Sequence, residues 1–145
     1  MQCARIAWIV ATLTGSSGCA TKGDVSLTVS NAMGLSPTVS DYHADNAIAN
    51  SDSQGIIHFT AVSATGAQLT VQIQGPLKQG DMPSLIADHN FVSLDQPGAG
   101  WSSNGGSVAV DGVSPYRLRF MTVPMLAGAG AAQGSFVLNG VGTFL

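Results

Sequence analysis

The sequence predicts an all-β fold: a single antiparallel β-sandwich, or as the alternative a small β-barrel, following an N-terminal signal segment. Three observations predict it. All eight acidic residues are Asp and none is Glu; Asp bonds its local backbone and favours turns, whereas Glu suits helix interiors. Gly reaches 18 residues, and Ser, Thr and Val are frequent. Short apolar/polar alternations recur about every ten residues between Gly, Pro, Asn and Asp, the spacing of sandwich and barrel strands. The 145 residues suit one ordinary domain, and a 45% hydrophobic content with only 9% charge is enough to build a core.

The chain opens with Arg5, then the apolar run "IAWIVATL" (6–13), then the small residues Gly15, Ser16, Ser17, Gly18, Cys19 and Ala20. Eight apolar residues match the core of a secretory signal and fall far short of a membrane span. Small residues before a cut suit cleavage either before Cys19 or after Ala20. The segment resembles the signal sequence of bacterial lipoproteins. Ser17 and Gly18 fit that family's pattern before the cysteine, while Ser16 stands where the pattern has Leu. The resemblance covers about 20 residues. It implies that Cys19 becomes the first mature residue and carries lipid on its sulfur. It also implies outer-membrane sorting in a Gram-negative cell, because Ala20 rather than Asp follows the cysteine; plain secretion is the alternative. Cys3 is the only other cysteine and would leave with the signal, so no disulfide is expected. The expected organisation is a signal peptide at 1–18, a tether at 19–24 and the sandwich domain at 25–145.

"DVSLTVS" (24–30) puts Val25, Leu27 and Val29 on one face, and "NAMGLSP" breaks the pattern. Val39 and Ile48 suit short strands. "IIHFTAV" (56–62) and "AQLTVQIQ" (67–74) read as a hairpin about "ATGA"; Leu69, Val71 and Ile73 oppose Gln68, Thr70, Gln72 and Gln74. "PSLIADH" (83–89) suits one helical turn. "FVSL" (91–94) resumes strand, "DQPGAGWSSNGG" (95–106) reads as a long loop about Trp101, and "SVAV" (107–110) leads to an Asp111-Gly112 turn. "YRLRFMTV" (116–123) alternates Tyr116, Leu118 and Phe120 with Arg117, Arg119 and Met121. "LAGAGAAQG" (126–134) has little to pack. "SFVLNGVGTFL" (135–145) gives two strand pieces about Asn139-Gly140, a turn or a bulge.

The net charge of −3 and only five basic residues leave no electrostatic footprint for nucleic acid. In "SDYHADN" (40–46), Asp41, His43 and Asp45 project to one side of an extended chain, a metal candidate with Asp88 and His89 as candidates for a further or outer ligand; the plain alternative is a polar outer strand face or a solvated loop. "GWSSN" lacks the last Gly of a nucleophile elbow. "GAGAAQG" lacks the Lys of a phosphate loop. Trp101 is the ligand-binding candidate, a platform for a sugar or a partner; the alternative is that it plugs the core with its indole N–H on a backbone carbonyl. The sequence therefore points first to a non-enzymatic cell-envelope lipoprotein with a structural or interaction role, without cofactor, held to the membrane through Cys19. Its partner would be an envelope protein or a glycan. A carbohydrate- or small-ligand-binding module using the Trp101 loop comes second, and an Asp/His metal-dependent enzyme third.

Overall fold

The computed structural model describes residues 22–86 and 90–145. The signal and tether readings over residues 1–21, and the ligand reading of Asp88 and His89, lie outside the described residues. Ten strands form one antiparallel sheet: β1 (Asp24–Ser36), β2 (Tyr42–Ala44), β3 (Ile48–Ser51), β4 (Ile56–Val62), β5 (Gln68–Gln74), β6 (Phe91–Gln96), β7 (Ala99–Ser103), β8 (Ser107–Val113), β9 (Tyr116–Gly130) and β10 (Gln133–Phe144). The order is β2-β1-β10-β9-β7-β6-β5-β4-β3, with β8 also on β9. Strands neighbouring in sequence mostly neighbour in space, and the loop closes where β1 pairs with β10. The sheet curls into a half-barrel around one core. The expected all-β antiparallel domain is what the structure shows.

The alternation seen in the sequence decides which face is buried. Leu69, Val71 and Ile73 point inward with Ile57 and Phe59 of β4, and Gln68 and Gln74 point out. Phe59 of β4 packs edge-on against Tyr116 of β9 and Phe144 of β10, at centroid distances of 5.2 and 5.1 Å. Those strands do not pair with β4, so the two limbs of the sheet face one another across the core.

The sheet bends along a line. β7 and β8 both pair with one edge of β9, with the register unbroken from Ser103↔Met125 to Ser107↔Met121. Residues 99–113 and 116–130 thus form one long hairpin interrupted at 104–106. There Asn104 N–H donates to Pro124 O (2.8 Å), and Gly106 takes a positive φ of 82°. Pro124 pairs with Val137, which pairs with Ser30. Beside this line β9 carries an extra residue at Thr122 (φ 49°), whose N–H donates to Asn139 Oδ1 (2.8 Å), and β1 carries one at Asn31 (φ 50°). Bulges bend strands and sharpen twist, and strands bent this way serve both layers of a folded sheet.

Several expected elements are corrected here. The stretch 95–106 is not a loop: Pro97-Gly98 turns β6 into β7, and Trp101 lies mid-strand between Leu94 and Ala127. Asp111 is a bulge within β8, and the turn falls at Ser114-Pro115. The described part of 83–89 is not helical. Residues 80–85 run beside β8, with Gly80, Val110, Val108 and Leu85 N–H groups bonded to Val110, Asp81, Pro83 and Gly106 carbonyls. This strip covers an edge that would otherwise stand open. Val39 lies outside any strand and is buried as a plug, whereas Ile48 starts β3. Asn139-Gly140 lies opposite the β9 bulge inside one continuous β10. "LAGAG" is the end of β9.

At the free ends of the sheet, side chains and the C-terminus stand in for strand pairing. Ala49 N–H donates to Leu145 O (2.8 Å), and Leu145 N–H to Ala47 O (3.2 Å). The Asn46 amide exchanges two 2.9 Å bonds with the Val62 backbone.

Candidate functional site

β2 alternates as its sequence requires. Tyr42 and Ala44 are buried, while Asp41, His43 and Asp45 face outward. Each of the three has its own partner. Asp41 Oδ1 accepts the Val29 N–H (2.9 Å), closing β1 where β2 has ended. Asp45 meets Lys22 at 3.2 Å, both well exposed. His43 Nδ1 lies 3.2 Å from Ser26 Oγ, and its Nε2 lies 3.8 Å from Asp24 Oδ1. Among the described residues no three His, Cys, Asp or Glu side chains gather as a metal site.

The line Ser26–His43–Asp24 joins three residue types used in hydrolysis, and it follows from the Ser26↔His43 register. His43 and Asp24 are 66% and 56% exposed. The 3.8 Å gap is too long for the hydrogen bond by which a catalytic Asp orients its His. As arranged, it is a polar patch on an open strand face.

Trp101 is the second candidate, and the structure corrects it. Its side chain is wholly buried and meets Phe136 edge-on at 5.8 Å. No ligand reaches it from solvent. The core-plug alternative describes its place, with one difference: Nε1 has no hydrogen-bond partner among the described residues.

The structure adds a cleft that sequence reasoning missed. The β1–β2 loop crosses the β4–β5 turn and leaves a space of about 230 Å³. Its floor is apolar: Val39, the Tyr42 ring and Leu94, all at most 6% exposed. Its rim carries Ser40, Asp41, Ser63, Thr65 and Gln96. The rim is built locally. Ser63 Oγ accepts the Ala67 N–H (3.1 Å) and lies 2.9 Å from Thr65 Oγ1, fixing the turn. Gln96 Nε2 donates to Thr38 O at 3.4 Å. The Tyr42 hydroxyl lies 2.9 Å from Ala61 O and 3.1 Å from Ala67 O, its donation shared between them. Burial pushes its pKa up to about 12 against the opposing pull of the Leu69 backbone. "SDYHAD" signalled one wall of this cleft; the Ser63–Ala67 wall and Gln96 come from distant strands and left no local signal.

Elsewhere two acid–base pairs stand on the sheet. The Arg119 guanidinium grips Asp111 with two 3.0 Å bonds, holding that carboxyl below its ordinary range and raising its own pKa. His58 Nε2 donates to Asp52 Oδ2 (3.0 Å), since a carboxylate only accepts. That bond, with the Ile56 and Gln54 N–H groups, lowers the Asp52 pKa.

A different surface stands apart by having no charge. None of residues 30–36 or 126–135 is buried, and neither stretch holds an ionisable side chain. They lie at one end of the sheet, where β1 pairs with β10, β10 with β9, and β9 in turn with β7. Met33, Ser135 and Leu126 lie in one cross-strand row, and Met33 and Leu126 are 70% and 44% exposed.

The chain matches no family model, no curated protein and no solved structure.

Proposed function

We propose that the protein is a membrane-tethered cell-envelope protein that works by contact rather than catalysis, with the uncharged end of its sheet as the contact surface. The observation that carries this reading is that end: the segments 30–36 and 126–135 hold no fully buried residue and no ionisable side chain, and they show Met33 and Leu126 to water. Segments that bury only the apolar side chains of Leu35 and Ala132, and those in part, gain little from folding, and exposed apolar side chains on a surface without ionisable groups mark interaction sites.

The position of the surface fits a tether. In the lipoprotein reading, Cys19 lies five residues before β1 begins, a reach of at most about 18 Å. The contact surface occupies the other end of β1, whose 13 residues trace about 40 Å of chain. A lipid on Cys19 would hold one end of the domain near the bilayer and present the other away from it. Asp24, His43, Asp45 and Lys22 stand at the tethered end.

A photo-crosslinking residue placed at Met33 in cells tests the reading, with Gln74 on β5 as the comparison position. The expected result is a discrete higher-mass adduct from position 33 and none from position 74. Equal labelling from both positions, or no adduct from position 33, would contradict it.

A further inference from the structure

We propose that the cleft between the β1–β2 loop and the β4–β5 turn binds one neutral pyranose unit. This site is independent of the charge-free contact surface and of the tether. Its volume of about 230 Å³ falls below the roughly 300 Å³ at which pockets begin to hold drug-sized ligands, so it suits a single ring. Val39, the Tyr42 ring and Leu94 offer an apolar floor to the C–H face of a sugar. The Ser40 hydroxyl and the Gln96 amide stand on the rim as donors and acceptors for ring hydroxyls.

Asp41 is the central recognition group. Its Oδ1 is committed to the Val29 N–H, which fixes the carboxylate. Its Oδ2 has no protein partner among the described residues and accepts from a ligand hydroxyl. The same charge disfavours anions, and among the described residues no Lys or Arg lines the cleft, His43 being its one basic side chain; hence a neutral sugar, not a uronic acid or a sugar phosphate. The floor is held in shape from behind, because the Tyr42 hydroxyl ties the loop to both Ala61 and Ala67.

Saturation-transfer NMR on the full chain tests this, with the methyl glycosides of glucose, galactose, mannose and N-acetylglucosamine as probes and methyl glucuronide as the anionic control. The expected result is transfer to the ring protons of at least one neutral glycoside and none to the glucuronide. Asp41→Asn keeps an oxygen for Val29 while removing the carboxylate, and should weaken binding about tenfold or more, the usual worth of a hydrogen bond to a charged group. Gln96→Ala, which removes only a long bond to Thr38, should weaken it as well. Absence of transfer to all four neutral glycosides would overturn the proposal, as would unchanged affinity in both variants.

Discussion

Tyr42 carries more of the structure than its short strand implies. β2 is three residues long, yet this side chain crosses from one end of the sheet to the β4–β5 hairpin and ties down two carbonyls there. Buried hydroxyls keep their place only when bonded, and such a bond is worth about 1 kcal/mol net. Tyr42→Phe is therefore expected to lower the unfolding free energy by about 1 kcal/mol, measured by urea titration at neutral pH. The raised pKa adds a pH signature. The folded state holds the phenolic proton up to about pH 12, while the unfolded chain releases it near the ordinary value of 10.0. Between those values the unfolded state binds fewer protons, so stability declines as pH rises through that window. The phenylalanine variant should show a shallower decline over the same range. At this scale the sequence was partly readable. Asp41, His43 and Asp45 do share one side of β2, as period 2 requires, but their separate partners Val29, Ser26 and Lys22 are set by pairing that no local pattern records.

At the scale of elements, the bend decides the architecture. Without it, residues 99–113 and 116–130 would make one straight hairpin, and Tyr116 could not meet Phe59 of β4 across the core. Gly106 sits at the corner with φ 82°, and a Cβ there would lie 3.0 Å from Val123 Cα and from Pro124 Cδ. Backbone strain and close approach act together, so Gly106→Val is expected to destabilise by about 2 kcal/mol or more. A denaturation midpoint unchanged from the parent would show that the corner does not depend on this residue. Strands with clean alternation, β4 and β5 above all, were legible because burial on one face writes itself into every second residue. β7 was not. "PGAGWSSNGG" has the composition of a turn, but β6 and β9 hydrogen-bond it on both sides, and tertiary pairing overrides propensity. Trp101 followed that misreading: it looked like a loop platform and is a core residue, since a strand mid-sheet points alternate side chains inward. The strip 80–85 was missed for a related reason: its burial alternates, but apolar Met82 falls on the exposed side and Asp81 on the covered one, so its sequence does not record the pattern.

For the whole molecule, the distribution of charge is the informative feature. No ionisable residue occurs between Asp24 and Asp41 or after Arg119, and the fold gathers parts of these two stretches into one sheet end. Either stretch alone read as low complexity or a strand break; only the pairing of β1 with β10 and β9 makes them a surface. The sugar cleft has the same origin, three segments meeting where none carries a motif. The N-terminal segment reverses the situation, since its meaning lies in the sequence alone: a positive start, a short apolar run and small residues before Cys19. The most direct test of the tethered account is the intact mass of the protein extracted from membranes. The account predicts a chain beginning at Cys19 with a lipid mass added to it. An unmodified chain beginning at Thr21, or one still carrying Met1, would contradict it.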